Sequence, residues 1–283
     1  DLLATLEVRG NAKADDLEFF AQEIGSIEYE HNIDFAPTKE LLSQYRKKEI
    51  TWDDYEIEYE NTFLLNLPMY INLPIILVYL LMVVFMYGDS LPNAFSNFFL
   101  NSFNIDLIYA RESMSILDSI FLVALSGLFI GTMGTVPGHE LVHRKKDKFD
   151  MFMGNWLLAM SWDCAFAVEH VYGHHKNVGL PIDPATAKRG ENIYAFIGRA
   201  IVNEQKDAWS IERDQFRRKG FSIISLKNRM ILGYLRSLTI TVLSFYIGGI
   251  SGMFIFFISA FIAKSLLEVI NYTEHYGLVR VPG

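Results

Sequence analysis

Six of the seven histidines of this 283-residue chain fall into three tight groups: His139 with His143, His170 with His174 and His175, and His275. Side chains four apart share one face of an α-helix. His139 and His143 would therefore present two imidazoles together, and His170 and His174 two more. His175 would be turned by about 100° from His174, toward a second metal or another side of the same one. Neutral imidazole suits iron and zinc alike. Glu140, Glu169, Glu268 and Glu274 are placed to ligate, to orient imidazoles or to balance charge. His31 stands apart in an acidic stretch and reads as structural.

One group also fits a competing pattern. His139-Glu140-Leu141-Val142-His143 matches HExxH, in which two histidines hold zinc and the glutamate is a general base. That site needs one further ligand and leaves the other clustered histidines unexplained. The His174-His175 doublet suits a site with more than one metal. Cys164 is the single cysteine, so an internal disulfide framework and a thiolate cluster within the chain are excluded. In its apolar segment it reads as a small hydrophobe.

The elements that must carry these histidines are apolar. The chain is 51% hydrophobic and 20% charged, which excludes a disordered chain and points to a membrane. Asn61 to Gly88 carries no charge and is long enough to span, with Pro68 and Pro74 expected to kink or start the helix. Ser119 to Gly138 predicts a second span that ends directly at His139. Ser237 to Ala263 is uncharged over 27 residues and contains Gly248, Gly249 and Gly252, so a tight turn there predicts two shorter spans, four in all. The apolar patch Met151 to Trp162 is too short to cross, and residues 89–115 read as a loop or interfacial segment.

This pattern predicts an all-α fold, a multi-pass transmembrane helix bundle with a cytoplasmic-side histidine cluster. The side follows from the basic residues of 139–229 and the positive-inside rule. Ionisable groups at the edge of hydrocarbon are costly, so function is their default reading. Residues 1–60 form a separate acidic extramembrane segment of net charge −10, with one or two short helices expected, and 61–283 form the membrane-embedded domain. An acidic head on a near-neutral hydrophobic body excludes a nucleic-acid binder.

With these residues in view, the sequence resembles the integral-membrane alkane hydroxylases (alkane 1-monooxygenases) of the fatty acid desaturase-like superfamily. Their HELxHK box corresponds to HELVHR at 139–144, and EHxxGHH to EHVYGHH at 169–175. DPASARxGExxY corresponds to DPATAKRGENIY at 183–194, and NYxEHYGL to NYTEHYGL at 271–278. The likeness covers roughly 65–283; residues 1–60 have no counterpart in it. It implies a helix bundle in the cell inner membrane in which histidines hold two iron ions as a non-haem di-iron centre. His139, His143, His170, His174, His175 and His275 would be six of those ligands. The family takes three more from an HSDHH box beyond NYxEHYGL, which this sequence does not include, so the resemblance implies a C-terminally incomplete domain.

The implied activity is dioxygen-dependent hydroxylation of the terminal carbon of an alkane or alkyl chain. Electrons would come from rubredoxin and rubredoxin reductase, and the apolar substrate would arrive from the lipid bilayer. The basic cluster Arg213, Arg217, Arg218 and Lys219 is the expected dock for an acidic rubredoxin. A membrane fatty-acid or lipid desaturase, or an aromatic-methyl hydroxylase, is the alternative; desaturases usually carry H-x2-HH where this chain has H-x3-HH. An inactive truncated membrane protein is the third reading.

Overall fold

The computed structural model describes residues 63–88 and 93–280, and every regular element among them is helical. The acidic segment 1–60, with its expected short helices and His31, lies outside the described residues. By its contacts the chain divides into residues 1–64 and 65–283, and all six clustered histidines belong to the second unit.

Helix α1, Phe63–Met86, is uncharged and runs through both Pro68 and Pro74 rather than starting at either. The stretch read as a loop or interfacial segment is largely helical instead, as α2, Asn93–Phe103, and α3, Leu107–Glu112. Two local causes explain the difference. The Asp106 carboxylate accepts from the backbone N–H of Ile108 (3.1 Å) and Tyr109 (2.9 Å), which caps α3. Phe95 and Phe99 of α2 continue an aromatic row from Phe85, with ring centroids 5.3 and 5.1 Å apart in sequence along it.

Helix α4, Ile116–His143, begins with a reciprocal cap. The Ser115 hydroxyl accepts from the Asp118 N–H, and the Asp118 carboxylate accepts from the Ser115 N–H. It contains a π-helical stretch, Ile130–Thr135, and then delivers His139 and His143 in its last turns. Helix α5, Lys148–Ala159, contains most of the short apolar patch. At 12 residues it is shorter than a span; Leu158 packs with Val142, Phe166, Val171 and Leu267 in a small core. Next comes α6, built from Phe166–Glu169, a π-helical turn His170–His174, and His175–Asn177. Helix α7, Ile193–Lys219, is capped by Asn192 at its start and closed by Gly220 in the left-handed conformation, φ 66°.

Helix α8, Arg229–His275, is 47 residues long and broken at Gly249, whose φ of 62° and ψ of −155° are not helical. This backbone region is open essentially to glycine alone. Trp162 shows what the break does. Its indole N–H donates to Thr241 Oγ1 (3.2 Å), and its ring packs on Phe257 with centroids 5.6 Å apart. In an unbroken helix residues 241 and 257 would lie about 24 Å apart. The chain therefore folds back at Gly249, and the two limbs are antiparallel neighbours. Gly248 is the point of closest approach to α1: a Cβ there would collide with the Val84 carbonyl.

Three helices, α1, α4 and α8, are long and apolar enough to cross a membrane. The longest of them, α8, is doubled back at Gly249, where the sequence predicts a turn between two shorter apolar stretches. Inside the bundle lies a buried charge cluster. Lys264, on the second limb of α8, sits 2.8 Å from Asp163, 2.7 Å from Glu204 of α7 and 2.8 Å from Glu268. One ammonium thus ties together the loop after α5, helix α7 and the limb that ends at His275.

Candidate metal centre

Two elements bring four imidazoles to one point. Helix α4 contributes His139 and His143 at its end, and the π turn of α6 contributes His170, with His175 directly after it. His170 Nε2 lies 3.0 Å from His139 Nε2 and 3.0 Å from His175 Nε2. One ligand nitrogen from each of His139, His143, His170 and His175 falls within 4.8 Å of all the others. His174 and His275 stand beside this group as a second pair, with ring centroids 4.7 Å apart and His174 stacked 5.1 Å from His170.

His170 and His174 lie together as α-helical spacing expects, their rings stacked. The π turn adds a neighbour: its i→i+5 hydrogen bonding places residues five apart over one another, so His175 also reaches His170. His174 meets His275 on its other side.

The donor set fits a metal ion. Three imidazole nitrogens at 3.0 Å cannot satisfy each other by hydrogen bonds, because His170 Nε2 would have to serve two partners with one proton or one lone pair. Nitrogens that ligate one ion at about 2.1 Å lie roughly 3–4 Å apart. The observed 3.0 Å separations and 4.8 Å outer limit are close to that pattern. Burial first, and then the neighbouring imidazoles, push His170 far below the usual histidine range and lower His175 as well. Both are therefore neutral, the form that ligates.

The orienting carboxylate is not one of the four glutamates singled out by sequence. Glu140 pairs with Arg144 at 3.2 Å on the surface, and Glu274 is exposed, its Oε2 4.0 Å from His275 Nε2 and beyond hydrogen-bond distance. Glu268 belongs to the Lys264 cluster and accepts from Asn271 Nδ2. Glu169 is buried beside Gly173, opposite Asp207, and its carboxyl is pushed up to about 9 by burial, then by Glu204, Asp183 and Asp207. Asp183 is the group that meets an imidazole: His174 Nδ1 lies 3.0 and 3.1 Å from its two oxygens. Asp183 also accepts from Thr186 Oγ1 and from the Ala185 N–H. Burial raises its pKa, but these hydrogen bonds and His174 outweigh it and hold the carboxyl below its ordinary value. The DPATAKRGENIY stretch was the available signal for it. Asp183 fixes the tautomer of His174 with Nε2 free to ligate. Asp183→Asn is expected to weaken metal binding about 10- to 100-fold; chelator competition measures this, and unchanged affinity would remove Asp183 from the site.

Cys164 is buried, lies 3.4 Å from Ser237 Oγ, and has its thiol pushed up to about 12 by burial. It is an inert packing residue, as expected.

Residues 119–282 match the fatty acid desaturase family model. The chain is 40% identical over 157 residues to alkane 1-monooxygenase 1 of Pseudomonas aeruginosa, an alignment covering 56% of this chain and 41% of that protein. It is 35% identical over 173 residues to alkane 1-monooxygenase 2 of Alcanivorax borkumensis, covering 61% and 45%. It is 36% identical over 157 residues to the xylene/toluene monooxygenase hydroxylase component XylM of Pseudomonas putida, covering 55% and 42%. The chain thus spans less than half the length of these curated relatives.

Proposed function

We propose that this chain, which belongs to the fatty acid desaturase family, contributes these histidines to the active centre of a membrane alkane 1-monooxygenase. The observation that carries the reading is the convergence of His139, His143, His170 and His175 at the end of a membrane-length helix, with His174 and His275 alongside. All six would hold non-haem iron, two ions in the complete centre. Iron supplies what protein side chains lack, the activation of dioxygen needed to attack a C–H bond with no acidic proton.

The balance is R–CH3 + O2 + 2 e− + 2 H+ → R–CH2OH + H2O. The chain's own residues bind and orient. The imidazoles would present their nitrogens to the metal, Asp183 aligns His174, and the apolar helices admit a linear alkane or alkyl chain from the bilayer. The electrons would come from rubredoxin and its reductase. The histidines lie on the cytoplasmic side of the inner membrane in this reading, because the basic loops flank them.

The likeness to the xylene/toluene enzyme component supports a second reading, an aromatic-methyl hydroxylase. Product analysis separates the two. With dodecane, p-xylene and a saturated acyl lipid offered separately under dioxygen and reduced rubredoxin, 1-dodecanol is expected to dominate. A benzylic alcohol or a new double bond as the main product would replace the alkane reading, and zinc rather than iron in the purified protein would end it.

A further inference from the structure

The π turn that carries His170 and His174 also carries Tyr172, and it points the other way. Tyr172 is 42% exposed, although its neighbours Val171 and Gly173 are buried. Two cations lie over its ring: Lys145 Nζ at 4.4 Å from the centroid and the Arg229 guanidinium at 4.5 Å. Arg229 is held rigidly there, since Nε donates to Glu212 (2.8 Å) and Nη2 donates to Gln215 (3.0 Å). Lys145 follows directly on the end of α4, two residues after His143, in an exposed basic run that includes Lys146 and Lys148. Three segments distant in sequence thus place an aromatic ring and two positive charges on the outer surface of the ligand-bearing turn.

We propose that Tyr172, with Lys145 and Arg229, is the landing point of an acidic one-electron carrier protein that reduces the histidine centre. The proposal rests on the oxygenase reading, whose balance requires two electrons per turnover from outside the site. Aromatic and arginine side chains at the middle of a patch are the types that anchor protein interfaces, and the flanking lysines select a negatively charged partner and speed its approach. Position matters as much as charge. The basic group expected from sequence, Arg213, Arg217, Arg218 and Lys219, lies toward the far end of α7. That helix meets the π turn at Asp207, beside Gly173. From there Arg213, near the Glu212 that holds Arg229, is about 9 Å along the axis, Arg217 and Arg218 are about 15 Å and Lys219 about 18 Å. Tyr172 is two residues from His170 and two from His174, and electron transfer favours the short route.

The test is calorimetric titration of the detergent-purified, iron-loaded protein with zinc-substituted rubredoxin, which binds without transferring electrons. Lys145→Glu and Tyr172→Ala are each expected to weaken binding about tenfold at low ionic strength. The Lys145→Glu deficit should shrink toward the wild-type value at high salt. The double variant Arg217→Glu/Arg218→Glu should bind like wild type. The proposal is overturned if wild type does not bind, if the double variant loses affinity while Lys145→Glu and Tyr172→Ala keep it, or if Lys145→Glu changes only partition onto anionic phosphatidylglycerol vesicles. Binding is read without turnover, so a failed docking site and a failed oxygenase assignment give separate results.

Discussion

His170→Ala is expected to lower metal affinity more than about 100-fold and to abolish product formation. His170 is the hub of the group: its Nε2 is 3.0 Å from both His139 and His175, and its ring also stacks on His174. No other imidazole touches both the four-nitrogen group and the second pair so directly. Loss of a mere orienting partner costs 10- to 100-fold in comparable sites, and loss of a ligand at the centre should cost more. Iron per chain after dialysis against a chelator, together with alcohol formed from dodecane, provides the measurement. Full iron retention with normal turnover would show that the converging nitrogens are not the metal site.

Lys264→Met is the second large effect, and it acts on stability rather than chemistry. The substitution leaves Asp163, Glu204 and Glu268 buried without their common counter-charge. Removing one partner of a buried ionic group costs about 3–5 kcal/mol. The pH dependence has a defined sign. Burial first, and then Glu268 and Asp163, push Glu204 up to about 8 from an ordinary 4.5, although Lys264 opposes this. Between those values the folded chain keeps a proton that the unfolded chain releases. The contribution of Glu204 to stability is therefore complete below 4.5 and is lost as pH rises toward 8. Without Lys264, which lowers them both, Asp163 and Glu204 hold their protons to still higher pH. Thermal unfolding in detergent should then show a larger deficit for the variant at pH 9 than at pH 5. Equal deficits at both would mean that the cluster is not electrostatic in effect.

The sequence made the spans and the histidine groups legible because both are local signals. Charge-free runs mark α1 and α4, and Gly248-Gly249 marks the turn of α8. What was not legible depends on tertiary contacts or on unusual backbone. Lys264 looks like the end of an apolar run, whereas in the fold it is an interior residue of α8, made tolerable by Asp163 and Glu204 from elsewhere in the chain. Residues 93–112 looked like loop because their phenylalanines need Phe85 to pack on. The α-helical spacing placed His174 beside His170, but the second neighbour, His175, comes from a π turn that this spacing does not anticipate. Asp183 lies nine residues from His174 in irregular chain, where no periodicity connects them.

The doubling of α8 has a consequence for how the centre is put together. A straight rod of 47 residues would reach about 70 Å, more than twice the thickness of the oily layer. Gly249 turns that surplus into a return journey, so the run surfaces beside its own beginning. His275, at the tip of the returning limb, can meet His174 only after both limbs are threaded. During synthesis the other five imidazoles of the group are made before it, so the contact of His275 with His174 forms only once both limbs are in place.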